Sequence, residues 1–421
     1  MGRIVIIGNG AAGNCAATAI RKHRPDLELL MISHESLPAY SACALPDFLA
    51  GWVERNRLFI REERDYARLA IDTRFGQEVV ALDTAGRKVV LERERIPYDR
   101  LILATGSRAI IPPVEGSHLP GNFVVKSVLD AEAILRHGPN NVVVVGSGNI
   151  GVEVAEALQV RGCRVTLIEM MEHILPRAFD AEPAGRIAGL LARQGIEILT
   201  GQKVLKVGGA EKVASVYTED GEMPCDTVVW AAGVKQNVEI ARAAGINIGR
   251  LGGIMVNSFM ETNIDRIYAC GDCIESTDIL TGRQTLSLLW PNAKRQGEVA
   301  GLNCIGRQVK YEGSLNVVVE ELYGTIVVAI GLTSRDLAGE NLGVLEEEGE
   351  DWYYRALVVD DRIMGFQSVG ITSGIGVVTA LMKKRTPVSE IRRIMADPVL
   401  ARKVWWWGRI GHFGVLENQV D

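Results

Sequence analysis

Two stretches of this chain repeat one pattern. Each has a short apolar run, then G-x-G-x-x-G, a helix-like segment and a second apolar run that ends on an acid. The first is RIVIIGNGAAGNCAATAIRKHRPDLELLMISHE (3–35) and the second NVVVVGSGNIGVEVAEALQVRGCRVTLIE (141–169). Each glycine answers a separate physical need. Gly8 and Gly146 permit a tight turn after the strand. Gly10 and Gly148 let the backbone approach a pyrophosphate, and Gly13 and Gly151 let the helix pack close to the strand. The pyrophosphate then meets the free N–H groups and positive dipole of a helix N-terminus. Glu35 follows Gly13 by 22 residues and Glu169 follows Gly151 by 18, where a carboxylate accepts ribose hydroxyls. A carboxylate at 169 also repels a 2′-phosphate, and Met170 and Met171 follow it with no arginine. The second unit therefore favours NAD(H) over NADP(H). Two complete fingerprints predict two bound dinucleotides, and a pair implies hydride transfer between them.

A chain of 421 residues exceeds what one core usually holds, so two or three domains are expected. The net charge of −6 comes without a basic run, which argues against nucleic acid as a partner. The apolar start lacks the basic segment and cleavage site of a signal peptide. Residues 363–382, IMGFQSVGITSGIGVVTALM, carry no charge, but their glycines and polar residues read as a strand, a turn and a buried helix instead of a membrane span. Seven cysteines without paired spacing suggest reduced thiols and a cytoplasmic protein. Cys270 and Cys273 form a lone C-x-x-C with no second pair to complete a tetrahedral site, and no metal is expected.

Further motifs carry a family resemblance. YDRLILATGS (98–107) and DRIYACGDC (265–273) resemble motifs of the flavoproteins with two dinucleotide-binding domains, which include NADH oxidases, coenzyme A disulfide reductases and rubredoxin reductases. The resemblance implies an α/β fold with two Rossmann-like domains, one for FAD and one for NAD(H), and a C-terminal α/β interface domain that forms a dimer. The FAD domain would be discontinuous, 1–111 and 249–310, around an NAD domain at 112–248, with the interface domain at 311–421. Gly8, Gly10, Gly13 and Glu35 would bind the ADP part of FAD, and Val79 would contact adenine through its backbone. Ala104, Thr105 and Gly106 would pass close to the flavin dinucleotide. Asp272, after Gly271, would bond the ribityl chain, and the helix beginning at Trp290 would point at the flavin ring. Gly146, Gly148, Gly151, Glu169 and Gly233 would hold NAD(H). Glu153 matches a glutamate that faces nicotinamide and flavin in the family; alternatively it lies on a solvated helix face with Glu156.

The segment YSACALP (40–46) leaves two readings open. Family thiol enzymes carry a single cysteine on the corresponding loop, so Cys43 is a candidate redox thiol. Pro46 would sit in the first turn of a short helix, placing Cys43 ahead of its N–H groups. Cysteine is equally a common space-filling residue. The dithiol class is excluded, because position 48 is Phe48 and the tail has no His-Pro pair. Trp405, Trp406 and Trp407 cannot all face one core and read as a docking surface, while His412 reads as packing or surface. The chain also resembles flavoprotein subunits of multisubunit 2-oxoacid oxidoreductases. That resemblance implies iron–sulfur partner subunits as the electron donors, FAD as the relay and NAD⁺ as the acceptor. The alternative is a self-contained NADH-dependent disulfide reductase or oxidase that uses Cys43.

Overall fold

The computed structural model describes residues 2–371 and 374–390. The Trp405–Trp407 stretch, His412 and most of the helix expected after Val388 lie outside the described residues. The chain divides into two compact units. One comprises Met1–Ile111, Val124–Arg136 and Gly233–Ser314; the other takes in Pro112–Phe123, His137–Ala232 and the described part of Leu315–Asp421.

The first unit is built on a five-stranded parallel sheet. Its order is Ile267–Ala269, Arg100–Leu103, Arg3–Ile7, Glu28–Ser33 and Ile71–Phe75. The strand Arg3–Ile7 lies in the middle, and Ile4, Val5 and Ile6 are fully buried, as an apolar run covered on both faces must be. The helix Ala11–His23 follows, with Arg21, Lys22 and His23 in its last turn to complement the dipole. It packs against the helix Trp290–Cys304 without a side-chain layer between them. A Cβ on Gly297 would stand 2.1 Å from the Ala12 carbonyl oxygen, and one on Gly301 would stand 2.5 Å from that of Ala16. A three-stranded antiparallel sheet, Val79–Asp83, Lys88–Leu91 and Arg95–Pro97, completes this part of the unit.

The second unit repeats the plan. Its sheet runs Glu197–Leu199, Arg164–Ile168, Asn141–Val145, Thr227–Trp230 and Asn122–Val124, with the fingerprint strand again in the middle. Val142, Val143 and Val144 are buried, and the helix Asn149–Val160 follows. From Val317 the chain changes to an antiparallel sheet of order Val317–Leu322, Thr325–Gly331, Arg362–Val369, Tyr353–Val359 and Gly343–Glu348. The described part of the uncharged run 363–382 holds the end of the strand Arg362–Val369 and most of the helix Ile375–Lys384. Of the buried helix expected there, Val378 and Met382 form a buried stripe and the other residues are partly or fully exposed. Among the described residues no helix is long and apolar enough to cross a membrane.

Candidate functional site

The two fingerprint loops share one geometry. Gly8 adopts φ +115° and Gly146 φ +100°, a region side chains disfavour. Added Cβ atoms there would fall 2.0 Å from the Ala104 carbonyl oxygen and 2.5 Å from that of Ala231. Gly13 and Gly151 are equally tight, with Cβ positions 2.1 Å from the Gly8 carbonyl oxygen and 1.9 Å from that of Gly146. Gly10 and Gly148 differ from these four. Both are helix N-caps with no side-chain cap and no acid in the first turn, and a Cβ on either meets nothing within 4 Å. Each loop thus presents open backbone N–H groups at a helix start. The residues fit a dinucleotide pyrophosphate.

Around the first loop, Asn9 is held by Tyr66, whose hydroxyl donates to Asn9 Oδ1 at 2.7 Å, and its Nδ2 donates to the Leu37 carbonyl at 3.2 Å. Glu35 lies at the end of the second strand, where its Oε2 accepts from the Tyr40 hydroxyl at 2.8 Å. Burial, with the Glu35 carboxylate second, pushes the Tyr40 phenol well above its ordinary pKa, so it stays a donor. Val79 starts its strand opposite Leu91 with its side chain buried.

Ala104, Thr105 and Gly106 form the turn after the strand Arg100–Leu103, and Ala104 N donates to the Ile7 carbonyl at 2.8 Å. Asn237 braces this turn: the Thr105 hydroxyl donates to the Asn237 carbonyl at 2.6 Å, and Asn237 Nδ2 donates to the Thr105 carbonyl at 2.9 Å. Gly271 has φ +81° and donates its N–H to Gln296 Oε1 at 2.9 Å, on the helix that Trp290 begins. Asp272 is half-buried. Its Oδ2 accepts from the Ser107 hydroxyl at 2.8 Å and from Lys126 Nζ at 3.4 Å, and Lys126 also reaches Ser107 Oγ at 3.0 Å. Sequence reasoning missed Asn237, Lys126, Ser107 and Gln296, because nothing local marks braces whose partners lie far along the chain.

In the second unit, Glu169 is 5 % exposed and Ser147 fully buried. Glu169 Oε2 accepts from the Ser147 N–H at 2.9 Å and from its hydroxyl at 2.7 Å; Oε1 accepts from the Met171 N–H at 2.9 Å. Gly233 has φ +100° and falls within the first unit. Glu153 is half-buried on the helix Asn149–Val160. Glu156 is only 3 % exposed and accepts from the Tyr323 N–H at 2.7 Å, so it does not share a solvated face with Glu153.

Cys43 lies in a 3₁₀ turn, Ala42–Ala44, just before the helix Leu45–Ala50 with Pro46 in its first turn. Cys43 is exposed, while Cys225, Cys270, Cys273 and Cys304 are buried and none of the seven is in a disulfide. Burial pushes the Cys304 and Cys225 thiols up to about 12, and it raises Cys270 and Cys273 as well. Ser41 N, ahead of this turn, donates to the Leu58 carbonyl at 2.9 Å, and a separate open groove of about 670 Å³ is lined by Leu37, Pro38, Arg55, Phe59, Arg61 and Glu62.

Two uncapped fingerprint loops on one chain define an oxidoreductase that uses two dinucleotides. The chain belongs to the pyridine nucleotide-disulphide oxidoreductase family, whose model matches residues 2–297. It is 38% identical over 343 residues to an NADH oxidase of Methanocaldococcus jannaschii, covering 79% of this chain and 76% of that one. It is 32% identical to a CoA-dependent NAD(P)H sulfur oxidoreductase of Pyrococcus furiosus, covering 90% and 91%. The epsilon subunit of the NADH-dependent phenylglyoxylate dehydrogenase of Aromatoleum evansii matches at 26%, over 94% of this chain and 95% of that one. The structure of an NAD-dependent persulfide reductase from A. fulgidus superposes with a TM-score of 0.89 at 28% identity, covering 93% of this chain and 78% of that one. The protein is an FAD- and NAD(H)-dependent oxidoreductase.

Proposed function

We propose that the chain is the FAD-containing electron-transfer subunit of a 2-oxoacid:NAD oxidoreductase complex. It takes electrons from iron–sulfur partner subunits and delivers them to NAD⁺, while the complex converts phenylglyoxylate and coenzyme A to benzoyl-CoA. The observation that carries this reading is the near end-to-end match, 94% of one chain on 95% of the other, with the phenylglyoxylate dehydrogenase epsilon subunit. In this reading the first unit holds FAD, the second holds NAD(H), and the C-terminal antiparallel sheet serves association, including a homodimer.

FAD supplies the exchange between one-electron and two-electron steps. The protein's part is binding and orientation. The Gly8, Gly10, Gly13 loop receives the flavin pyrophosphate on the N-terminus of the helix Ala11–His23, and Glu35, held by Tyr40, takes the adenosine ribose. Val79 contacts adenine through its backbone. Ala104, Thr105 and Gly106 line the dinucleotide in a turn that Asn237 fixes. Asp272, oriented by Lys126 and Ser107, accepts from the ribityl hydroxyls, and the start of the helix at Trp290 directs its N–H groups to the flavin. In the second unit Gly146, Gly148, Gly151 and Glu169 bind NAD(H), and Glu153 serves its nicotinamide end.

A second reading has its own observation. Cys43 is exposed just before the helix Leu45–Ala50, which suits a self-contained NADH-dependent reductase of a small disulfide or persulfide, or an NADH oxidase. Anaerobic titration of the oxidised protein with NADH, followed by flavin absorbance, separates the two. One hydride equivalent per flavin supports the electron-transfer subunit. A second equivalent, consumed by the wild type and lost in Cys43→Ser, overturns it in favour of the thiol reductase.

A further inference from the structure

Ser147 sits between the first two glycines of the second fingerprint and is fully buried. All three of its polar groups bond to the segment that follows the strand Arg164–Ile168. Its N–H and hydroxyl both donate to Glu169 Oε2, and its carbonyl accepts from the Leu175 N–H at 2.9 Å. Leu175 has φ +51°, a left-handed conformation that a leucine adopts only when its surroundings hold it there. The loop 169–175 is therefore built around one serine.

The consequence is electrostatic. The two Ser147 bonds occupy Oε2, and the Met171 N–H takes one accepting position on Oε1. One position remains on Oε1, enough for a ribose hydroxyl. The carboxylate cannot swing aside for a second negative group without breaking three bonds in a buried place. We propose that Ser147 is a specificity-determining positioning residue, which through its hydroxyl locks the Glu169 carboxylate against the 2′-phosphate of NADPH. This rests on reading the second unit as the pyridine-nucleotide site.

The hydroxyl can be removed without touching the two backbone bonds, because the N–H and carbonyl stay in any variant. The loss leaves Oε2 with the Ser147 N–H as its remaining donor, so the carboxylate is held less firmly and can move away from a second negative group, which weakens the repulsion. The test measures kcat/KM for NADH and NADPH in the FAD-loaded protein, with a dye as electron acceptor, for Ser147→Ala, Ser147→Gly, Ser147→Thr and Glu169→Ala. A hydrogen bond to a charged acceptor sets the scale, so Ser147→Ala and Ser147→Gly should lower the NADH-over-NADPH ratio roughly tenfold, mainly through a lower KM for NADPH. Ser147→Thr, which keeps the hydroxyl, should restore it. The glycine variant reports if the alanine variant does not fold. A ratio unchanged in both Ser147→Ala and Ser147→Gly while Glu169→Ala shifts it overturns the role of Ser147 alone. A ratio unchanged in Glu169→Ala overturns the nucleotide-site reading, and this proposal with it.

Discussion

Thr105 and Asn237 stand 132 residues apart and exchange two hydrogen bonds, hydroxyl to carbonyl at 2.6 Å and amide to carbonyl at 2.9 Å. A side chain of each closes on the backbone of the other, and the Asn237 N–H donates to the Gly106 carbonyl at 3.0 Å. The turn 104–106 is thus held from outside its own strand. Asn237→Ala removes the amide's bond to the Thr105 carbonyl and the bond its Oδ1 accepts from Arg108 at 2.8 Å, leaves the two backbone bonds, and loosens the turn, which should cost about 1 kcal/mol of stability. It should also lower the flavin-to-protein ratio after gel filtration. Unchanged flavin retention would remove this turn from the flavin site.

The fingerprint glycines should separate into two classes. Gly10 has open space where a Cβ would go and an extended backbone, so Gly10→Ala should cost less than about 1 kcal/mol. It should nevertheless lose flavin, because the methyl occupies the place of the pyrophosphate. Gly13→Ala drives a methyl into the Gly8 carbonyl and should destabilise by on the order of 3 kcal/mol. Urea unfolding and flavin content, measured together, decide; equal stability losses in both variants would refute the distinction.

Thiol accessibility follows from burial. At pH 8 under native conditions, an aromatic disulfide reagent should titrate Cys43 first, and Cys43→Ser should abolish the fast phase. Cys225 and Cys304, with pKa values pushed up to about 12 by burial, stay protonated below that pH and should react only when denaturant exposes them. A fast phase that survives Cys43→Ser would show that another thiol is the reactive one.

Tyr323 is clamped at both ends to the helix Asn149–Val160: its N–H meets Glu156 and its hydroxyl donates to Gln159 Oε1 at 2.8 Å. Tyr323 carries φ +47° at the turn between two strands of the C-terminal sheet. Glu156→Ala leaves a partly buried N–H without this acceptor and should cost about 1 kcal/mol, read by urea unfolding. Glu156→Gln keeps an acceptor and should recover most of that loss. Equal stability of Glu156→Ala and wild type would refute the clamp.

Much of the fold could be read from local sequence. The strands Arg3–Ile7 and Asn141–Val145, the helices after them and the strands that end before Glu35 and Glu169 all follow from apolar runs and glycine spacing. Those signals act within about thirty residues, the reach of one βαβ unit. The braces around the candidate sites act over longer spans. Lys126 reaches Asp272 from a segment that reads as an ordinary helix approach, and Asn237 looks like a surface residue until the chain folds. Glu156 escapes a local reading for the same reason: helical spacing puts it near Glu153, but the hairpin at Tyr323 that buries it lies 167 positions away. Cys43 is legible as a candidate thiol, while its exposure depends on the turn that Ser41 and Leu58 close.

The crossing of Ala11–His23 and Trp290–Cys304 leaves no compressible layer between two backbones. With Gly297 against Ala12 and Gly301 against Ala16, neither helix can tilt or slide without the other following. The two helix starts, one at the fingerprint loop and one at Trp290, are thereby joined in a single stiff lever. Any adjustment at one end of the nucleotide cradle is expected to reappear at the other at nearly full amplitude.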